Sequence, residues 1–476
     1  MKLNKTKIVA TIGPSSNTRS ILKRLMLAGV DAFRVNFSHS SHEETAKVIK
    51  EIRSLNEELN IHASIICDLQ GPKIRIGEVL PGVVLKKGDV ISFTTNDTGA
   101  KGDQNLVSIN YKNFPSDVSV NEKILVNDGK LILKILETNK KNLVRAKIIQ
   151  GGKLESNKGV NLPNTKISLP ALTDKDVKDA TFAIKNKFDW IALSFVRSKR
   201  DISLLRRLND KVSSNKIPII AKIEKPESLI NIDKILKKAD GIMVARGDLG
   251  LEIPAEEVPL NQKLLVTKAK KARKPVIIAT QMMESMISSL TPSRAEVNDV
   301  ANSVMDGADA IMLSGETSTG KYPVEVVKTI EKIIHRVEGS SLIRIPLNLP
   351  KLKSKRILTK SVCFHATSIA NEINASAICT LTNSGYTAWQ ISSWRPNALI
   401  LVFTSNKRIL SRLNLLWGVK CLFYDNFVST DDTIEEVNQI AKDSGFIKAN
   451  DFVINLSAMP IIKRGEVNTL RVSKID

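Results

Sequence analysis

Aromatic residues make up only 4% of this 476-residue chain, and no uninterrupted apolar run approaches the roughly eighteen residues of a membrane span. No membrane span is therefore expected. Cysteine is scarce: Cys67, Cys363, Cys379 and Cys421 are scattered, with no C-x-x-C spacing. That excludes a disulfide framework. Three of the four sit in apolar runs, which points to buried free thiols in a reducing cytoplasm. The start Met1-Lys-Leu-Asn-Lys-Thr6 leads straight into a strand pattern rather than an apolar leader, so no secretory signal is expected and the chain is read as cytoplasmic. Acidic residues are the scarcer charge, 49 against 71 Lys and Arg, for a net charge of +22. Such an excess can serve nucleic acid or anionic substrates. The lysines, however, are dispersed, and neither an arginine-rich block nor zinc-finger spacing occurs. No specific nucleic-acid partner is expected, and the abundance of Lys, Asn and Ile reads as compositional drift of the coding sequence.

At 476 residues the chain exceeds what one hydrophobic core supports, so two or three domains are expected. Short β-branched runs, each followed by a helical pattern, begin near Lys7, Ala32, Ala63, Trp190, Ile217, Gly241, Pro275 and Ala310. Apart from one long gap their spacing is that of a βα unit, roughly thirty residues. Eight such units predict a (β/α)₈ barrel of the TIM type, with its site at the carboxyl ends of the strands. Ser293-Arg-Ala-Glu296 is a capping box for one helix, and Gly307 is its stop. The gap alternates apolar runs with the turn signals Lys87-Gly88-Asp89, Asn96-Asp97 and Asn127-Asp128-Gly129. The expected division is a catalytic barrel over 1–72 and 169–345, with an inserted all-β lid domain, a small β-barrel, over 73–168. Over 346–476, strand-like runs near Ala375, Ala398, Val419, Asp451 and Asn468 alternate with helices and predict a C-terminal open-sheet α/β domain. There the turn Thr382-Asn-Ser-Gly385-Tyr-Thr387 is either a phosphate cradle or a plain strand–helix connection.

The chemistry gathers at strand ends. Ile217-Pro-Ile-Ile-Ala-Lys222-Ile-Glu224 finishes an apolar strand with opposite charges at i and i+2, which share one face. The run from Gly241 breaks into a glycine turn, Arg246-Gly247-Asp248-Leu249-Gly250. Two carboxylates, a lysine and glycine-exposed backbone suit a divalent cation with a phosphorylated or enolic substrate. The second strand ends in Arg34-Val-Asn36-Phe-Ser38-His39, so Arg34, Asn36 and Ser38 alternate onto a face where a barrel interior takes Val, Ile or Leu. The third ends in Asp68-Leu69-Gln-Gly71-Pro-Lys73-Ile-Arg75, the seventh in Thr280-Gln281, and the eighth in Ser314-Gly315-Glu316-Thr317. One polar strand end is an ordinary cap; this many converging on one mouth make a site.

The strings IPIIAKIEKPESL, MVARGDLGLEIP, IIATQMMESM, PSRAEVNDVANSVMDGADAIMLSGETSTGKYP, VNFSHSSHEE and GGKLESNKGVNLP resemble the hallmarks of the pyruvate kinase family, along essentially the whole chain. The resemblance implies transfer of a phosphoryl group from phosphoenolpyruvate to ADP, giving pyruvate and ATP in glycolysis, by a homotetramer. It implies that Glu224 and Asp248 hold Mg²⁺ (or Mn²⁺) and that the backbone of Gly247 and Asp248 meets the substrate carboxylate. Arg34 and Lys222 would grip the phosphoryl group, Lys222 would also stabilise the enolate, and Thr280 would relay a proton through water. Asn36, His39 and Arg75 would face the nucleotide. Asn36, Ser38, Asp68 and the Leu69 carbonyl would surround a monovalent-cation position. Many members carry glutamate where this chain has Lys73 and need K⁺, so the lysine implies that K⁺ is not required. Ser198 departs from a frequent nucleotide-contacting lysine, with Lys199 beside it. The tail Ser457–Gly465 lacks the tryptophan-containing loop of members activated by sugar bisphosphates.

Two other readings compete. A metal-dependent barrel lyase acting on a pyruvate enolate would use Glu224, Asp248 and an arginine, but would not need an ADP lid. A catalytically silent, basic RNA-binding scaffold would have no reason to keep Lys222, Glu224, Asp248 and Thr280 intact.

Overall fold

The structure, a computed structural model, describes residues 4–96, 99–340, 356–460 and 466–476. Eight parallel strands close a ring: Lys7–Thr11, Ala32–Asn36, Ser64–Asp68, Trp190–Leu193, Ile219–Ile223, Gly241–Ala245, Val276–Ala279 and Ala310–Leu313. They are called the first to eighth barrel strands below. Closure comes between the first and the eighth, where Lys7 stands opposite Ala310. Both faces of each strand are covered, which is why the strands read as unbroken apolar runs rather than alternating ones. Val9, Ile66, Trp190, Ile220, Met243 and Ile277 fill the ring's interior. The helices obey the sequence signals. In Arg294–Asp306 the Ser293 hydroxyl accepts from the Glu296 N–H at 3.2 Å and the Glu296 carboxylate accepts from the Ser293 N–H at 2.8 Å. Gly307, at φ +95°, ends that helix.

The insertion between the third and fourth strands is built on long-range pairing. Its sheet runs in the order Val160–Asn161, Lys123–Val126, Leu131–Thr138, Leu143–Gln150, Val90–Thr94, Leu106–Ser108. Single bridges from Arg75 to Gly159 and from Ile76 to Ile109 join its two edges, so closure rests on two contacts rather than on a ladder. Of the three turn signals, Asn127-Asp128-Gly129 is a true hairpin turn, with φ of 55°, 55° and 77°. Lys87-Gly88-Asp89 instead joins strands with different partners, because Val84–Leu85 pairs with Gly152–Lys153 and Val90–Thr94 with Leu143–Gln150. Asn96-Asp97 runs into residues outside those described. The strands on either side of it, Val90–Thr94 and Leu106–Ser108, pair in parallel, which a hairpin cannot do. A short helix, Phe114–Asp117, also interrupts the all-β pattern.

The C-terminal sheet has the order Val419–Phe423, Leu399–Thr404, Ala377–Leu381, Phe452–Ser457, Thr469–Lys474, with only the last strand antiparallel. This layer sits under the amino ends of the barrel strands. Leu415 joins the ring's interior cluster, and the Trp190 indole donates to the Arg412 carbonyl at 3.1 Å. The expected boundary at 345–346 and part of the Ser457–Gly465 tail lie outside the described residues. Thr382–Thr387 joins a strand to the helix Tyr386–Ser393, with Gly385 at φ +79° donating its N–H to the Thr382 hydroxyl. All four cysteines are buried, and burial pushes the Cys363, Cys379 and Cys421 thiols up to about 12. Among the described residues no helix is long and apolar enough to cross a membrane.

Candidate active site

Lys222 is the centre of the barrel mouth. Its ammonium lies 2.9 Å from Glu224, 3.2 Å from Asp68, and donates to the Ser194 hydroxyl at 2.8 Å. Burial disfavours its charge, but Asp68 and Glu224 outweigh burial and hold its pKa above the ordinary lysine value. The third-strand end Asp68 is wholly buried and also takes the Arg34 guanidinium at 2.6 Å. Burial would raise its pKa, yet Lys222 and Arg34 together keep it below the usual carboxylate range. Arg34 is further fixed by the Thr11 hydroxyl at 3.1 Å. Two cations and two carboxylates from the second, third and fifth strand ends thus form one network.

Glu224 carries the least satisfied atom of that network. One carboxylate oxygen accepts from the Phe195 N–H at 2.7 Å. The other, Oε1, is buried and accepts no aligned hydrogen bond, although Lys222 stands beside it. Burial, with Asp248 adding and Lys222 opposing, raises the pKa of Glu224. A desolvated acid with a free lone pair, pressed by a second acid, is a place for a positive charge. Among the described residues no cluster of three or more His, Cys, Asp or Glu forms a protein-only metal cage. Two carboxylates with open positions fit a hard divalent cation that keeps waters and takes substrate oxygens.

Asp248 does not sit in a loose glycine turn, as expected, but in the first turn of a short helix, Arg246–Glu252, that starts directly from the sixth strand. The reason is tertiary. Arg246 reaches Asp299 at 2.6 Å and the Thr280 carbonyl at 2.8 Å, and the Gly247 N–H donates to the Thr280 hydroxyl at 2.7 Å. A Cβ on Gly247 would press on that hydroxyl at 3.3 Å. Thr280 itself has φ +72°, a strained conformation for a β-branched residue, and its hydroxyl donates to the Ala279 carbonyl at 2.6 Å. The polar eighth strand end behaves differently. Glu316 is buried and accepts from the Ser314 and Met283 N–H groups at 2.7 and 3.1 Å, so it braces the mouth rather than facing it.

The second strand ends at Asn36, so Ser38 lies in the following turn and not at an alternating strand position. That turn is fixed by Ser38 N–H to the Asn36 side chain at 3.2 Å and His39 N–H to the Asn36 carbonyl at 3.1 Å. Burial lowers the pKa of His39, and Arg75, Lys73 and Arg34 add to the effect. Those three cations therefore share its surroundings. Lys73 lines the cleft between mouth and insertion together with Phe195, Arg197 and Asp248. Arg75 donates to the Asn157 carbonyl of the insertion at 2.8 Å. The Leu69 carbonyl accepts from the Ser194 hydroxyl at 2.6 Å. Gly71, at φ +69°, admits no side chain, because a Cβ would lie 2.8 Å from the Phe195 ring. Ser198 caps the helix Lys199–Val212 in a box with Asp201, which leaves Lys199 exposed in its first turn.

Sequence reasoning missed three groups. Ser194 touches Lys222, Asp68 and the Leu69 carbonyl; its signal was one hydroxyl breaking the run Trp190–Val196. Thr11 braces Arg34. Buried Lys225 and Asn161 both donate to Glu252, at 2.6 and 2.9 Å, which ties the insertion to the barrel.

Fold and mouth define the class: a (β/α)₈ barrel whose carboxyl-end mouth holds a buried lysine among carboxylates, with Asp248 close by. Residues 3–327 match the family described as "Pyruvate kinase, barrel domain" and residues 360–473 the one described as "Pyruvate kinase, alpha/beta domain". The chain is 41% identical over 473 residues to a pyruvate kinase of Geobacillus stearothermophilus, covering 99% of this chain and 80% of that one. It is 39% identical over 469 residues to a pyruvate kinase of Corynebacterium glutamicum, covering 98% and 97%. A crystal structure of a pyruvate kinase from Cryptosporidium parvum superposes with a TM-score of 0.91 at 34% identity, covering 99% of this chain and 96% of that one. The chain belongs to the pyruvate kinase family. Its members are phosphotransferases that depend on a divalent metal and use phosphoenolpyruvate and ADP. Neither the lyase nor the RNA-scaffold reading finds support beside a match that spans both the barrel and the C-terminal domain.

Proposed function

We propose that the chain moves the phosphoryl group of phosphoenolpyruvate to the β-phosphate of ADP at the mouth built around Lys222, releasing pyruvate and ATP. Arg34 and Lys222 grip the phosphoryl oxygens, and Lys222 then holds the enolate oxygen that is left behind. At about 4 Å and an effective dielectric near 20, one such charge pair is worth about 4 kcal/mol before desolvation. The backbone at Gly247 and Asp248 orients the substrate carboxylate; glycine lets it approach, and the Gly247 N–H would leave the Thr280 hydroxyl to donate to the substrate. Thr280 relays the proton that the enolate carbon takes up. An alcohol is too weak an acid or base to act alone at neutral pH, so its hydroxyl positions a water that delivers the proton. Glu224 and Asp248 would hold Mg²⁺ or Mn²⁺, which when bound supplies positive charge to substrate carboxylate and phosphoryl oxygens.

His39, Arg75 and Asn36 take the nucleotide phosphates. The Lys73 ammonium supplies the charge that K⁺ would bring near Asn36, Ser38, Asp68 and the Leu69 carbonyl, so K⁺ is not required. In support, Lys73 lines the cleft and its charge bears on His39. The working form is a homotetramer in the cytoplasm. The observation that carries the reading is the Lys222 ammonium fixed among Asp68, Glu224 and Ser194 at the carboxyl end of the barrel. The test is a coupled assay of pyruvate release. Turnover must require phosphoenolpyruvate, ADP and a divalent metal together, and pyruvate release that is indifferent to ADP would overturn the proposal.

A further inference from the structure

The chain leaves the barrel through residues 69–75 and returns through residues 167–173, so the placement of the insertion over the mouth passes through these two connections. The outgoing one also carries Lys73 and Arg75. A single side chain holds both. Asp176 lies in the first turn of the helix Asp174–Lys185, which follows the return, and it is wholly buried. Its Oδ1 accepts from the Gly71 N–H at 3.0 Å. Its Oδ2 accepts from the Thr173 N–H at 2.9 Å and from the Thr173 hydroxyl at 2.7 Å. That hydroxyl in turn accepts from the Asp176 N–H at 3.1 Å, which closes a capping box.

A helix cap needs only the second of those oxygens. The first reaches across 105 residues of chain to the outgoing connection. Among the described residues no cation pairs with Asp176, so its buried charge rests on these three neutral donors and on the amino end of its own helix. Such a charge is tolerated only while its donors stay in place, which makes the two connections hold each other. The same helix grips the neighbouring turn of the mouth. Lys175 donates to the Phe37 carbonyl at 2.6 Å, and Asp179 takes Lys175 at 2.6 Å and His42 at 2.8 Å, on either side of Ser38 and His39. Arg197 fixes the return through the Ile167 and Leu169 carbonyls.

We propose that Asp176 is a positioning residue for the nucleotide: by tying the outgoing and returning connections to one buried carboxylate, it sets where the insertion and residues 73–75 stand over the barrel mouth. It touches no reacting atom and acts through Gly71 and Thr173. This role rests on the nucleotide reading of Arg75 and His39. Asparagine has the same shape as aspartate but one acceptor oxygen, so at this position it serves one connection and presents N–H groups to the other.

Steady-state kinetics of the full-length protein, with hydrogen exchange read by mass spectrometry over residues 70–76, tests the assignment. Asp176→Asn is expected to raise the KM for ADP about tenfold, as loss of one hydrogen bond to a buried charge, and to keep the KM for phosphoenolpyruvate within about twofold of the parent. Exchange over residues 70–76 should become faster. Thr173→Val frees the return alone and keeps the Gly71 bond, so it should raise the KM for ADP about threefold. It carries the test if Asp176→Asn does not fold. Ser293→Ala removes a capping box of the same kind from the helix Arg294–Asp306, which carries neither connection. It should lower the Tm and leave both KM values unchanged, the pattern Asp176→Asn would follow if the carboxylate served the fold alone. An unchanged KM for ADP in the folded variants, or an equal rise in both KM values, would overturn the proposal. Arg75→Gln tells the two readings apart. A raised KM for ADP in Arg75→Gln but not in Asp176→Asn defeats the positioning role; the reverse supports that role and defeats the nucleotide reading of Arg75.

Discussion

Replacing Lys222 by alanine removes the group on which two carboxylates and a hydroxyl converge. Asp68 would keep Arg34 at 2.6 Å, but Glu224 would retain only the Phe195 N–H at 2.7 Å. Glu224 already has a raised pKa from burial and from Asp248, so without the lysine it should hold a proton to still higher pH. Breaking a buried pair in this way costs about 3–5 kcal/mol of stability. Loss of one preorganised charge stabiliser costs about 10²–10³ in turnover. The two effects separate by measurement. Urea unfolding and circular dichroism give the stability of Lys222→Ala, and a coupled pyruvate assay at saturating phosphoenolpyruvate, ADP and Mg²⁺ gives kcat for the folded fraction. Lys222→Met restores the bulk without the charge, so it should recover part of the stability and none of the rate. Paramagnetic relaxation with Mn²⁺ should show metal binding retained at alkaline pH, since the acids remain and a competing cation is gone. A folded Lys222→Ala protein keeping more than about a tenth of the parent kcat would refute the assigned role.

Three further outcomes are expected. Activity should be high with Mg²⁺ alone in K⁺-free buffer, and Lys73→Glu should introduce a K⁺ requirement; strong K⁺ activation of the parent would contradict this. Ser194→Ala should lower kcat about tenfold through loosened placement of Lys222, with little change in the KM for ADP, which steady-state kinetics can read. Lys7 is wholly buried, and burial pushes its pKa down to about 8, with Asp31 opposing and Lys420 adding, from 10.5. Only the unfolded chain is then protonated there between pH 8 and 10.5, so this lysine makes stability rise with pH through that window and adds no slope below it. The advantage of Lys7→Met over the parent, read by urea titration, should therefore shrink across the same window by about 3 kcal/mol at most; a constant difference would show Lys7 to be unperturbed.

Much of the architecture was local enough to read from the chain. Most barrel strands are apolar runs buried on both faces, and that pattern is carried within each segment. The helix caps were equally local: Ser293 with Glu296, and Gly307 at φ +95°, involve residues within a few positions of one another. The pairing of Lys222 with Glu224 followed from the two-residue repeat of a strand. Polar residues at so many strand ends marked the mouth as a site before any distance was known.

Tertiary structure decided which of those ends do what. Asp68 meets Arg34 and Lys222 because ring closure brings the second, third and fifth strand ends together, and no periodicity encodes that convergence. Ser194 reaches Lys222 across 28 residues of chain, and Glu316 turns to Met283 across 33, so a hydroxyl that looked incidental is central and one acid of the polar strand ends is a brace. The strained Thr280 and the short helix carrying Asp248 exist because Arg246 and Gly247 bond to the seventh strand end. In the insertion the turn signals were local but the partners were not, so one of the three proved to be a hairpin. Composition and period fix what a segment is; hydrogen bonds between distant segments fix what it touches, and catalysis depends on the second.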